Sequence, residues 1–401
     1  MRIHFKHNDS NKDVFVADGK ISVPFPNPDR VISVRGGMTV LPGFIDLHVH
    51  FREPGFEHKE TMATGAQAAV RGGFTTVCCM ANTNPVIDNV ELVRIAQQKA
   101  KTVPVNILQF AAATLGMNGI DIADYSALKA AGAAGISEDG KPVSSAGVFL
   151  ECLKQAKAAG LTVFTHCEDA SLGDATLSEE LMVARDIMLA EAADTCLHIC
   201  HVSTVKSVEL IRAAKRRGLN ITAEVSPHHL VLTKDDVPYT DYDRYTNFKM
   251  APPLRAPKDV EALRKGLMDG TIDCIATDHA PHSTEDKAGG WDRSANGITG
   301  LETAFSVLYT YLVVPKIISL DKLVYLMSHK PAGTLGLSDI KGSLAIGMDA
   351  DITLVDLECK YTVDTVLHAS KSHNNPWHGE ELCGKVVMTV VSGNIVYEGL
   401  C

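Results

Sequence analysis

Pro42-Gly43-Phe44-Ile45-Asp46-Leu47-His48-Val49-His50-Phe51-Arg52 is the stretch around which the rest of the chain can be read. It starts on a Pro-Gly break, runs through apolar residues and ends in a His-x-His pair. Strand side chains alternate between faces at a rise of ~3.3 Å per residue, so His48 and His50 share a face. Two imidazoles on one side of a strand can grip one ion. Alone the pair is a weak signal, because such spacings are common by chance, and the flanking sequence has to decide.

Outward from Gly43, short β-branched or apolar runs alternate with longer Ala-rich stretches of helical character, separated by Gly, Asn, Asp or Pro. That rhythm indicates repeated βα units. Strands are predicted near Gly43–His50, Gly73–Met80, Pro104–Phe110, Ala133–Ser137, Leu161–Cys167, Cys196–Val202, Ile221–Val225 and Cys274–Ala280. Eight such units predict an α/β fold of TIM type, a (β/α)8 barrel. An open doubly wound sheet competes, but no glycine-rich phosphate turn follows an early strand. The chain ends differ: Met1–Leu41 and Gly336–Cys401 hold short alternating segments with turns such as Asp18-Gly19 and Ser392-Gly393-Asn394. Neither end has room for its own core, so residues 1–42 and 336–401 are expected to form one small discontinuous β domain beside a barrel of residues 43–335.

Bulk properties narrow the function. At 401 residues, 45% hydrophobic and 21% charged, the chain has the composition of a soluble globular enzyme. A formal net charge of -10 argues against nucleic acid and anionic membranes as partners, since both need a basic face, and favours a small-molecule substrate. The start lacks a basic segment followed by an apolar one, and no run approaches the ~20 apolar residues that span a bilayer. A cytoplasmic location is therefore expected. The 10 cysteines are scattered, several of them (Cys78, Cys79, Cys196, Cys200, Cys274) in apolar runs, and no C-x-x-C pair occurs. Buried thiols are expected rather than disulfides or a thiolate zinc knuckle.

Four further groups fall where predicted strands end: Asp139, His166, His201 and Asp278. All would meet His48 and His50 at the C-terminal mouth of the barrel. Any one of them alone reads as a residue hydrogen-bonded to its loop; six converging nitrogen and oxygen ligands read as a metal centre. Two Zn²⁺ ions fit this donor set, with Mn²⁺ or Co²⁺ as alternatives. A carboxylate and a hydroxide would bridge them, the hydroxide acting as nucleophile. His198 lies an odd number of residues from His201 and is expected to face away; His198 and His279 are read as core or supporting groups, and His228 and His229 as simple hydrogen-bonding partners.

These residues sit within a wider set of motifs: His48-Val49-His50-Phe51-Arg52-Glu53-Pro54-Gly55, Arg71-Gly72-Gly73-Phe74-Thr75-Thr76, Met80-Ala81-Asn82-Thr83, Glu138-Asp139-Gly140, His201-Val202-Ser203-Thr204, Ala276-Thr277-Asp278-His279-Ala280-Pro281-His282 and Gly297-Ile298-Thr299-Gly300-Leu301-Glu302-Thr303. From Leu41 onward the chain resembles the amidohydrolase superfamily and, within it, the class I dihydroorotases. The resemblance implies reversible cyclisation of N-carbamoyl-L-aspartate to L-dihydroorotate in pyrimidine biosynthesis. It implies that His48, His50, Asp139 and Asp278 surround one metal, that Asp139 also touches a second held by His166 and His201, and that Asp278 is the general acid/base. Substrate contacts carry over to Arg52, Asn82 and His282, with the backbone at Asn296 and Gly297 closing over the ring. A guanidinium fork beside an amide suits a substrate carboxylate.

Related hydantoinases, dihydropyrimidinases and allantoinases bridge their metals with a carboxylated lysine in the fourth strand. Here that place reads Gly135-Ile136-Ser137-Glu138-Asp139, and the nearest lysine, Lys141, lies beyond it. Two departures from the dihydroorotase pattern are Ala251 in Ala251-Pro252-Pro253-Leu254-Arg255, where many members have Asn, and Ala81, where Pro is usual. Residues 282–296 read as a mobile, polar, glycine-containing cover that could exclude water from the site, or else as a solvated loop. The rival functions are another cyclic-amide hydrolase and a non-catalytic partner subunit of aspartate carbamoyltransferase. The full set of six ligands speaks against the second, and the carboxylate clamp against the first. The resemblance leaves room for a homodimer and for association with that carbamoyltransferase.

Overall fold

A computed structural model describes residues 1–7, 13–242 and 244–401; residues 8–12, part of the N-terminal stretch read as β, lie outside the described residues. Eight parallel strands run Phe44–Val49, Phe74–Cys79, Asn106–Ala112, Gly135–Ser137, Val163–Thr165, Leu197–Ile199, Ile221–Val225 and Cys274–Ile275, each hydrogen-bonded to its neighbour in sequence. The circuit closes where His279 bridges Val49 in parallel, with the His50 N–H donating to the His279 carbonyl at 2.9 Å. The expected barrel is therefore present, and its eight strands fall where the apolar runs place them.

The strands are short at the mouth for a chemical reason. In the expected Cys274–Ala280 strand the regular ladder covers only Cys274–Ile275 and pairing resumes at His279; between them the Thr277 N–H donates to the Asp46 carboxylate at 3.1 and 3.2 Å instead of to a neighbouring strand. Asp46 also accepts from the His48 N–H at 3.0 Å, and the first ladder shifts register between Asp46 and Val49. A buried backbone donor needs an acceptor, and here a side chain replaces the ladder.

The barrel is a packed core, not a pore: Ile45, Leu47, Cys78, Phe110, Phe164, Cys200, Cys274 and Ala276 fill it. The Phe110 and Phe164 rings stand 4.3 Å apart, and truncating either to Ala costs about 3–5 kcal/mol. Outside, helices press their apolar stripes onto the strands, among them Met62–Arg71, Ala146–Ala159, Ala175–Ala193 and Val205–Arg216. Each starts on an oxygen cap, namely Thr61, Ser145, Asp174 and Thr204, which accepts an otherwise orphaned backbone N–H.

The two chain ends meet. One four-stranded sheet runs in the order Lys20–Ser22, Val14–Ala17, Ile3–His7, Arg30–Val34; the other runs Asn394–Glu398, Glu381–Val391, Ile352–Thr362, Met38–Pro42. Ile3, Phe5, Val16 and Ile32 share one apolar cluster with Val40, Ile352, Leu354 and Val390. Lys20 pairs with Asp349 at 2.7 Å and Arg30 with Glu398 at 2.6 Å. The expectation of unpaired cysteines needs correction here: Cys359 and Cys401 form a disulfide, their Cα atoms 5.9 Å apart across a separation of 42 residues. The return of the last strand along Glu381–Val391 brings them together, which residue spacing cannot reveal. Six of the remaining eight cysteines are buried thiols; Cys196 and Cys383 are only half-buried. Among the described residues, no helix is long and apolar enough to cross a membrane.

Candidate metal centre

Each of the six side chains singled out from the sequence stands at or just past a strand end: His48 and His50 at the first, Asp139 at the fourth, His166 at the fifth, His201 at the sixth and Asp278 at the eighth. All are buried. Among these six, three groups of potential ligand atoms lie within 4.8 Å of one another: His48, His50 and Asp139; His48, His201 and Asp278; and Asp139, His166 and His201; a fourth such group joins His48 to Cys200 and Glu224. The structure thus brings all six together. His201 and Asp278 hold φ values of 33° and 48°, and Arg52 holds 57°. Such left-handed conformations cost about 1–3 kcal/mol each and persist only where neighbours fix them. At His201 the turn matters most, because the interior position of Cys200 would otherwise send the next side chain outward.

Asp139 is the hub. Its Oδ1 lies 3.3 Å from His48 Nε2, 3.4 Å from His166 Nδ1 and 3.4 Å from His201 Nε2, and its Oδ2 lies 3.4 Å from His50 Nε2. Burial raises its proton affinity, but the close imidazoles of His48, His166 and His201 outweigh that and hold the carboxyl well below its usual range. Asp278 Oδ1 sits 3.1 Å from His50 Nε2 and 3.5 Å from His48 Nε2. On the outer side, His50 Nδ1 lies 2.9 Å from Asn82 Oδ1, and His166 Nε2 lies 2.9 Å from Glu168 Oε2. Both oxygens accept, so each ring is protonated on its outer nitrogen and offers a lone pair inward. His166 Nδ1 and His201 Nε2 are 2.8 Å apart, a spacing that a shared proton or a shared cation satisfies.

The fit to metal rests on two orphaned atoms. His48 Nε2 and Asp139 Oδ1 are buried and have no hydrogen-bond partner, a costly state for polar groups unless an ion takes them up. A cluster of four imidazoles and two carboxylates is a donor set for a first-row divalent ion rather than for Ca²⁺.

A cavity of about 190 Å³ opens above the cluster, and Arg52, Asn82, His282 and Asn296 line it together with His50, Asp139, His166 and Asp278. Burial pushes Arg52 down to about 10, so it stays charged at neutral pH. Burial and the adjacent guanidinium push His282 down to about 2, leaving it neutral. Arg52 accordingly donates to His282 Nε2 at 3.2 Å and to the Pro281 carbonyl at 3.2 Å. Gly297 borders the cavity residues rather than lining the space itself; a Cβ there would stand 2.4 Å from the Ala280 carbonyl oxygen and 2.6 Å from the His282 ring. Ala251 lines the cavity, whereas Ala81 is buried behind it. The 282–296 segment is pinned: Lys287 donates to the carbonyls of Ala295 at 2.8 Å and Gly297 at 3.1 Å, and Lys249 to those of Trp291 at 2.5 Å and Ser294 at 2.6 Å.

One reading of the histidines is overturned. His198, expected to face away from His201, also points into the barrel, with its ring 4.8 Å from that of Phe164 and its Nε2 3.2 Å from Glu224. The positive φ of His201 breaks the two-residue alternation just beyond the strand. His279 turns out toward Glu60 at 3.5 Å, and His229 donates to the Pro252 carbonyl at 2.9 Å; both act as supporting groups. Sequence reasoning missed Glu168 and Glu224. Glu168, two residues beyond His166, offered a positional signal; Glu224 offered none.

The amidohydrolase family model matches residues 39–396. This chain belongs to the amidohydrolase family. The dihydroorotase of Bacillus cytotoxicus is 46% identical over 412 residues, spanning 96% of this amidohydrolase and 94% of the relative. The dihydroorotase of Bacillus cereus strain AH820 is 46% identical over 409 residues, with the same shares. Among solved structures, the L-hydantoinase (dihydropyrimidinase) of Arthrobacter aurescens superposes with a TM-score of 0.88 at 27% identity, covering 97% of this chain and 93% of that one. The D-hydantoinase (dihydropyrimidinase) of a Thermus species gives 0.84 at 26% identity, covering 99% and 95%. In this amidohydrolase the group between the imidazole pairs is Asp139, while Lys141 is exposed.

Proposed function

We propose that this amidohydrolase is a dihydroorotase that interconverts N-carbamoyl-L-aspartate and L-dihydroorotate at a two-cation centre. The observation that carries the reading is a carboxylate, Asp139, standing within 3.4 Å of all four imidazoles, beneath a cavity with the Arg52 guanidinium in its wall. The curated relatives, named dihydroorotase at 46% identity, support the same substrate class. His48, His50, Asp139 and Asp278 would hold one cation, and Asp139, His166 and His201 the other. Zn²⁺ suits the donors, and Mn²⁺ or Co²⁺ would be tolerated. Bound there, the cations would supply the Lewis acidity that polarises a ring amide carbonyl and acidifies water.

The chain's own residues do the rest. Arg52, charged and half-buried, grips the substrate α-carboxylate, with Asn82, His282, Asn296 and the backbone at Gly297 closing the remaining sides. Asn82 meanwhile ties His50 to the Asp139 carbonyl, donating to the latter at 3.3 Å. In the hydrolytic direction Asp278 takes a proton from the attacking water and delivers it to the departing ring nitrogen. In synthesis it takes the carbamoyl N–H proton as that nitrogen closes on the side-chain carboxyl and water leaves. The stapled 282–296 segment keeps bulk water out.

The hydantoinase reading is favoured by the solved structures that superpose on this chain, and a substrate panel separates the two. Purified protein supplied with Zn²⁺ interconverts dihydroorotate and carbamoyl-aspartate and leaves hydantoin, dihydrouracil and allantoin untouched; preference for any of these three overturns the proposal. A cytoplasmic location, a homodimer and association with aspartate carbamoyltransferase are part of the same proposal, and co-purification tests the last. We also propose that residues 1–42 and 336–401 act as one unit beside a barrel of 43–335, supported by their common apolar cluster.

A further inference from the structure

Glu224 is a charged residue inside an apolar barrel, and nothing in the proposed chemistry uses it. It lies on the strand Ile221–Val225, 1% exposed, among the interior side chains Leu47, Phe164 and Cys200. Its Oε1 is 2.7 Å from His48 Nδ1, and its Oε2 is 3.2 Å from His198 Nε2. His198 Nδ1 in turn lies 2.8 Å from the Thr222 hydroxyl. Among the described residues its ion-pair partners are these two imidazoles, with no lysine or arginine within reach. A buried carboxylate without a permanent counter-charge is unfavourable unless positive charge is supplied nearby.

The hydrogen bonds say where that charge would come from. A carboxylate only accepts, so both rings donate to it. His48 is therefore protonated on Nδ1, and its other nitrogen, Nε2, is the orphaned buried atom that looks toward Asp139 and Asp278. His198, held from behind by Thr222, fixes the second oxygen and stops the carboxylate from rotating away. We infer that Glu224 is a positioning residue for the His48 half of the cation site: it locks the His48 tautomer with the lone pair inward and passes negative charge through the ring. This rests on reading the cluster as a two-cation centre.

The test is metal binding rather than turnover, using the full-length protein loaded with Zn²⁺ or Co²⁺. In Glu224→Gln the amide oxygen still accepts from His48, while its NH₂ donates to His198 Nε2, whose proton moves to Nδ1 and onto Thr222. Shape is kept and charge is lost. Competitive chelator titration is expected to show one of the two ions bound about 10–100-fold more weakly, with the other unchanged. The Co²⁺ absorption of the weakened site should shift, while circular dichroism and the thermal transition stay as in wild type. Glu224→Ala, which leaves His48 without its acceptor, is expected to empty that site. Two ions bound with wild-type affinity in Glu224→Gln, or equal weakening of both, overturn the inference alone. Wild-type protein that takes up no divalent metal overturns the functional reading together with it.

Discussion

The two imidazole pairs of the centre are built from the same residue type but backed differently. His48 and His50 are held from behind by Glu224, 1% exposed, and by Asn82, whose amide is tied to Asp139. His166 is backed by Glu168, whose side chain is 43% exposed at the cavity edge. A carboxylate inside a barrel cannot relax or be screened, whereas one in contact with solvent does both. The difference teaches that the pair backed by the buried carboxylate is a fixed template, and the pair backed by the solvent-touching one, the outer pair, is the adjustable, faster-exchanging side.

That contrast can be broken in several ways. The largest effect comes from removing metal: dialysis against a chelator is expected to abolish turnover in two phases, the His166–His201 side emptying first, with Zn²⁺ restoring activity. Loss in a single phase would erase the distinction between the pairs. Asp278→Asn is expected to cut kcat by about 10²–10⁴ with both ions retained, as read by steady-state kinetics and elemental analysis; unchanged kcat would remove Asp278 from the chemistry. Arg52→Met takes a charge-assisted hydrogen bond worth about 1.5–3 kcal/mol from the substrate, so kcat/KM for dihydroorotate should fall about 10–150-fold while metal content stays constant. Glu168→Gln is the smallest perturbation. Its screened contact is worth about 0.2–1 kcal/mol, hence at most about fivefold in affinity for the outer ion, and less as salt is added. A larger or salt-independent loss would show that Glu168 matters as much as its buried counterpart.

The sequence exposed whatever local patterning could carry. Eight apolar runs bounded by Gly, Asn and Asp gave the strands, and the six clustered side chains stood out because each follows such a run. Glu224 was hidden because a glutamate within Ile221-Thr222-Ala223-Glu224-Val225 reads as a solvent-facing strand position. Only the meeting of the first and seventh strands across the barrel gives it His48 as a partner. His198 was misread because alternation holds only while φ stays in the β region, and His201 leaves it. Lys249 and Lys287 carried no signal in the sequence, since their role comes from the backbone carbonyls gathered around them. The pairing of Cys359 with Cys401 likewise depends on how the last strand returns. Side chains marked by their place at the end of an apolar run were legible, and those whose roles depend on what the fold sets against them were not.

Met38–Pro42 takes its place beside Ile352–Asp356 in the second terminal sheet, and the apolar side chains of Ile3–His7 lie against Leu354 and Val390. On a ribosome these partners emerge roughly 300 residues apart, or about 15–60 s at about 5–20 residues per second. Throughout that interval the sheet of Ile3–His7, Val14–Ala17, Lys20–Ser22 and Arg30–Val34 has its own mates, but its apolar side stays uncovered and Met38–Pro42 stands unpaired until Ile352–Asp356 has been translated.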